Sequence, residues 1–211
     1  MRVAIISNGD LGDIAKLKLE LPLFDAVVCS DGGIRHLSDL GLYPDIIVGD
    51  FDSANQSLLD EYIKKGVVTK QFPKDKNETD THLAVEIAIE LGADSVYLLG
   101  AIGSRWDHSY ANVMLLVRLA EQGIDARILH SHNHIFVSNN TLVLSAQPEQ
   151  IISLLPLGND VTIEATKGLK YPIYDQHLPL NFPIGISNVF TDTEAEVRIK
   201  SGWLMAVIAN D

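Results

Sequence analysis

Gly49-Asp50-Phe51-Asp52-Ser53 sets two carboxylates two residues apart, directly after the apolar run Ile46-Ile47-Val48. Residues two apart in an extended chain point to the same side. Asp50 and Asp52 are therefore expected to aim together while Phe51 turns away. Adjacent carboxylates repel, and a cation held between them removes that penalty. Ligands that are all oxygen suit Mg²⁺ or Mn²⁺ rather than a soft metal. Three further acids stand where an apolar run ends or a helical pattern begins. Asp31 precedes Gly32-Gly33, Asp80 follows Lys74-Asp75-Lys76-Asn77-Glu78-Thr79, and Asp107 follows Gly100-Ala101-Ile102-Gly103-Ser104-Arg105-Trp106. Glycines such as Gly32 let backbone approach a ligand closely.

Each acid also has a local role open to it. Asp52 or Ser53 fits an N-cap, Asp31 a turn, and Asp107 an N-cap. Asp80 would meet the positive end of a helix dipole, with Asn77 at capping spacing. Several such acids on one rim would be costly without compensation. Lys74, Lys76 and Arg105, in adjoining loops, bring positive charge. Lys76 reads as a solvated loop lysine. The planar fork of Arg105 is suited to holding a phosphate through two bonds. Carboxylates, a divalent ion and fixed cations are the equipment of phosphoryl-type transfer. The chain has neither G-x-x-x-x-G-K-[ST] nor G-x-G-x-x-G, so any nucleotide is held another way.

The elements that would position these residues alternate. Strands are expected over 3–7, 26–30, 45–49, 67–72, 95–101 and 126–129. Helices are expected over 11–21, 34–40, 53–65, 79–91 and 107–122. Such alternation predicts a mostly parallel sheet with helices on its faces, and open α/β sheets bind ligands beyond their strand C-termini. The pattern changes near His130-Ser131-His132-Asn133-His134, which reads as an interdomain connection rather than a Zn²⁺ site. Short strands follow at 135–137, 141–144, 161–165, 197–199 and 203–209. Ser138-Asn139-Asn140 is expected to form a hairpin-like turn, and Ser201-Gly202 a turn before the closing strand. The expected architecture is an N-terminal α/β domain over 1–130 and a C-terminal antiparallel β-sandwich over 131–211. Trp106, Tyr110 and Trp203 read as packing residues.

Hydrophobic residues make up 46% of the 211, enough for a proper core, and the formal net charge is −12. That balance argues against nucleic acid as a partner. It leaves room for a nucleotide bridged by Mg²⁺. Cys29 is the single cysteine and excludes an intrachain disulfide. No run has signal-peptide form or membrane-spanning length, so a cytoplasmic protein is expected.

Taken in order, Ser30-Asp31-Gly32-Gly33, the Gly49–Ser53 motif, the Lys74–Asp80 loop, the segment 100–108 and Ile186-Ser187-Asn188 resemble the thiamine pyrophosphokinase family. The resemblance implies transfer of the pyrophosphoryl group of ATP to thiamine. It implies an N-terminal domain for ATP and Mg²⁺, a sandwich that helps bind thiamine, and a homodimer whose active sites draw on both subunits. It implies Asp50, Asp52 and Asp80 as catalytic and Mg²⁺-binding carboxylates. Asp31, Gly32, Lys74, Gly103, Ser104, Arg105 and Asp107 fall on the ATP side, and Ser187 and Asn188 on the thiamine side. Asn77 stands where the family often has an acid, and residues 171–183 match poorly. Two other readings use the same carboxylate pair or fold: a D-x-D glycosyltransferase acting on a nucleotide-sugar, and a non-catalytic nucleotide sensor.

Overall fold

The protein is described by a computed structural model covering residues 1–52 and 55–210. Ser53, one of the expected helix caps, lies outside the described residues. The chain divides into two compact units, Met1–Ser131 and His132–Asp211.

The first unit alternates as the apolar runs dictate. Its strands are β1 (Arg2–Ile6), β2 (Ala26–Ser30), β3 (Ile46–Gly49), β4 (Val68–Gln71), β5 (Ser95–Leu99) and β6 (Asp125–His130). Its helices are α1 (Ile14–Glu20), α2 (Ile34–Leu40), α3 (Gln56–Lys64), α4 (Asp80–Glu90) and α5 (Trp106–Glu121). The strands pair in parallel in the order β4-β3-β2-β1-β5-β6. Strands β1 and β2 are buried on both faces, which explains their unbroken apolar sequence. The chain winds outward one way from β1 to β4, then crosses back to place β5 beside β1. The strand order therefore reverses between β1 and β5, and a crevice opens there.

The caps of three helices differ from the sequence expectation. Asn55, rather than Asp52, caps α3 by accepting from the Leu58 amide at 3.3 Å. Thr79, rather than Asn77, caps α4 by accepting from the His82 amide at 3.1 Å, and Asp80 lies in the first turn as expected. Arg105 occupies the N-cap position of α5 without a side-chain cap, and Asp107 lies within the helix.

The second unit is antiparallel throughout. It contains β7 (Asn133–Ser138), β8 (Thr141–Ser145), β9 (Ile151–Lys167), β10 (Tyr174–Leu178), β11 (Asn188–Val189) and β12 (Glu194–Ala209). The expected hairpin does not form. Strands β7 and β8 both pair with β12, at Leu204–Ala209 and Glu194–Arg198 respectively. Ser138-Asn139-Asn140 is thus an irregularity along one edge. Gly202, read as a turn, sits inside β12 at φ +87°, where a Cβ would collide with the Asp160 carbonyl. Strands β9 and β12 pair with each other over almost their whole length, with register shifts between Arg198 and Trp203.

Those shifts have a purpose visible in the burial pattern. Ala195, Val197 and Ile199 point into the core before them, and Leu204, Ala206 and Ile208 after them. The buried parity changes from odd to even, because a one-residue slip exchanges the two faces of a strand. One ribbon can then line both sides of the core formed by Phe136, Leu144, Ile152, Phe190 and their neighbours.

Candidate active site

The crevice between β1 and β5 opens into a cavity of about 500 Å³. Ser7, Asn8 and Gly9 wall one side and Gly100 to Arg105 the other, with Asp31, Lys74, Lys76, Glu78, Thr79 and Asp80 around them. The two loops are zipped together by backbone bonds. Ser7 donates to Leu99 at 2.8 Å, Gly9 to Gly100 at 2.6 Å and Asp10 to Ile102 at 2.7 Å. Gly100 adopts φ +62°, and a Cβ there would strike the Ser7 carbonyl. Helix α5 fixes the second loop from below. Asn112 donates to the Ala101 carbonyl at 2.6 Å, and the Ser109 hydroxyl accepts from the Gly103 amide at 3.0 Å.

The acidic motif converges by a route the sequence did not suggest. Phe51 is not extended but left-handed, at φ +65°. That region is rare for a bulky residue and costs about 1–3 kcal/mol. It lets Phe51 pack on the core of the first unit while the Asp52 amide bonds back to Asp50 Oδ1 at 3.1 Å. Asp31 is buried in a 3₁₀ turn, and its Oδ1 accepts from the Gly32 amide. One oxygen from each of Asp31, Asp50 and Asp52 lies within 4.8 Å of the others. Oxygens in an octahedral shell with bonds of 2.0–2.1 Å sit about 3–4 Å apart, so modest closure suits Mg²⁺. Lys74 forms an ion pair with Asp52.

The group drawn within 4.8 Å is Asp31, expected beside the motif, with Asp50 and Asp52, while Asp80, also expected as a ligand, lines the same cavity as Asp31. Asp80 pairs with Lys76, Nζ to Oδ1 at 2.9 Å. Lys76, read as solvated, has a side chain only 11% exposed. Burial opposes its charge, but Asp80, with Asp50 and Asp31, more than offsets this and raises its pKa. Gly32 is tight against the Asn8 side chain and does not itself line the cavity. Gly103, Ser104 and Arg105 line it. Asp107 does not; it holds the Arg105 fork through two bonds, of 3.2 and 2.5 Å. The guanidinium pulls the Asp107 carboxyl down to about 2. Trp106 and Tyr110, expected to pack, are 72% and 42% exposed.

Ser187 and Asn188 belong to the second unit and border a smaller cavity with Tyr171, Gln176 and Ile186. Ser187 is left-handed at φ +60°. The Asn188 amide clamps the Tyr171 backbone, donating to its carbonyl at 2.7 Å and accepting from its amide at 3.0 Å. Ser7, Asn8, Thr81, Ser109 and Asn112 escaped sequence reasoning. Ser7 and Asn8 were signalled only by the adjoining Gly9, and Thr81, Ser109 and Asn112 only by their place early in α4 and α5.

Two family models match. The one described as thiamin pyrophosphokinase, catalytic domain, covers residues 18–128. The one described as thiamin pyrophosphokinase, vitamin B1 binding domain, covers residues 133–204. This chain belongs to the thiamin pyrophosphokinase family. A thiamine pyrophosphokinase of Bacillus subtilis is 27% identical over 183 residues, 86% of each chain. The crystal structure of thiamine pyrophosphokinase from that organism superimposes with a TM-score of 0.88 at 26% identity, covering each chain fully. The yeast thiamin pyrophosphokinase structure shares the fold at a TM-score of 0.80 and 19% identity, over 99% of this chain and 86% of its own. Family membership removes the ground for the glycosyltransferase reading.

Proposed function

We propose that this protein catalyses transfer of the pyrophosphoryl group of ATP to the hydroxyl of thiamine, giving thiamine diphosphate and AMP. The observation that carries the reading is the cavity at the strand-order reversal, lined by Asp31, Lys74, Lys76, Asp80 and Arg105, with Asp50 and Asp52 gathered beside Asp31 rather than lining the cavity themselves. Asp31, Asp50 and Asp52 would hold Mg²⁺. Bound there, the ion would supply neutralisation of phosphate charge.

The protein's own residues do the rest. The zipped loops at 7–10 and 100–103 give a rigid wall, so the nucleotide meets a preorganised surface. Ser104 and Arg105 border the phosphates, with the Arg105 fork moving from Asp107 to the ligand. Thiamine's hydroxyl oxygen bonds to the β-phosphorus as the bond to the α-phosphate oxygen breaks. AMP leaves with that bridging oxygen, and we assign the hydroxyl proton to Asp80 on the cavity wall. The acidic surroundings favour the cationic thiazolium of thiamine.

The reading includes a homodimer, with Ser187 and Asn188 on the thiamine side. Exposed apolar side chains on each unit support it: Trp106, Tyr110 and Met114 on the first, Tyr171, Tyr174 and Phe182 on the second. A cytoplasmic location accords with the use of ATP. Among the described residues no helix is long and apolar enough to cross a membrane. Incubation with ATP, Mg²⁺ and thiamine tests the proposal. Stoichiometric AMP and thiamine diphosphate are expected; ATP binding without AMP production would leave a nucleotide sensor instead.

A further inference from the structure

Lys76 lies in the loop between β4 and α4, where lysines ordinarily keep their charged ends in water. Its side chain is nevertheless only 11% exposed, and it borders the cavity. A buried ammonium is costly unless partners compensate it. Asp80, the first residue of α4, provides that compensation at 2.9 Å, and Asp50 and Asp31 add their fields. An ammonium carries three donors. The ion pair with Asp80 occupies one side of it, leaving donors for a ligand in the cavity.

The other two cations of the site are placed differently. Lys74 is 75% exposed and tied to Asp52, and Arg105 is 69% exposed and tied to Asp107. Both must change partners and give up side-chain freedom to reach a ligand. Lys76 is already held in the wall, so its contribution carries little ordering cost.

We propose that Lys76 is the fixed cation that binds the β- and γ-phosphate oxygens of the nucleotide, and that Asp80 aims it. The inference rests on the reading of the cavity as an ATP site. It gives Asp80 a positioning duty toward Lys76 and predicts discrimination between nucleotides by their terminal phosphates.

The test is equilibrium binding of ATP and of AMP to the full chain, by calorimetry with Mg²⁺ and without thiamine. AMP lacks the two phosphates that Lys76 would hold. Lys76→Met is expected to weaken ATP about ten- to a hundredfold, the range for a charge-assisted bond. AMP affinity is expected to stay within about twofold, since no such bond is lost. Lys76→Arg keeps the charge and retains most of the ATP affinity. If Lys76→Met does not fold, Lys76→Gln carries the same expectation. An unchanged ratio of ATP to AMP affinity in a folded, uncharged variant overturns the role of Lys76 while the wild-type enzyme still makes AMP. A wild-type chain that binds no ATP and makes no AMP overturns the functional reading, and this role with it.

Discussion

Gly49 stands directly against Asp31: a Cβ on Gly49 would come within 2.8 Å of the Asp31 Cβ. The end of β3 and the turn after β2 can approach so closely only because residue 49 has no side chain. Gly49→Ala should therefore push Asp31 away from Asp50 and Asp52. The expected outcome is a folded protein destabilised by about 1–3 kcal/mol, the usual cost of overpacking. Turnover should fall about 100-fold, as for a small displacement of catalytic geometry. Thermal melts and AMP release measure the two effects.

Asn112 supports the cavity without lining chemistry of its own. Its amide reaches the buried Ala101 carbonyl at 2.6 Å. Asn112→Ala leaves that carbonyl with one bond fewer, at a cost of about 1–3 kcal/mol. Slackening of the 100–105 loop should raise KM for ATP more than it lowers kcat. Steady-state kinetics with ATP varied would show the split.

Arg105 and Asp107 compete with the nucleotide for each other. Their pairing holds the Asp107 carboxyl near 2. Asp107→Asn weakens the hold and should lower KM for ATP, with no change in a thermal melt because the pair is exposed. Arg105→Ala should raise KM about tenfold, the value of one charge-assisted bond. A rise in KM for both variants would mean that Asp107 contributes to binding directly.

Glu86 joins α4 to α5 through Arg118, at 2.5 and 2.9 Å. The Arg118 bond outweighs burial and holds the Glu86 carboxyl below its ordinary 4.5. A depressed folded-state value means that the carboxylate stabilises the fold above the ordinary value. That stability is lost as pH falls through the lower folded one. The pair is partly exposed, so its contribution is under about 1 kcal/mol. Glu86→Gln should melt slightly below wild type at pH 7, with the difference vanishing in acid.

The alternation of strand and helix was legible because parallel strands are buried on both faces and helices bury one, and both habits mark the sequence. The acids were legible because Asp31 and Asp50 follow strands directly and Asp80 and Asp107 fall in the first turns of helices. Three things were hidden. Phe51 gives no sign of a left-handed backbone, since bulky residues avoid it; only the packing of its ring on the core explains it. Lys76 looks like any loop lysine until α4 brings Asp80 beside it. Gly202 signals a turn equally well as a bulge, and its partner Asp160 lies far away in the chain. Each was decided by a neighbour distant in sequence or by a fold not yet formed.

The β9–β12 ribbon couples Ile151 to Ala209 and Lys167 to Glu196. Its two halves are therefore separated by the entire intervening chain, and long loops must close before any rung forms. During synthesis the second unit has to wait for its final strand to emerge from the ribosome, while the first can condense earlier. Cutting the polypeptide anywhere within β12 should thus leave the α/β unit ordered and the remainder an open, sticky intermediate prone to association.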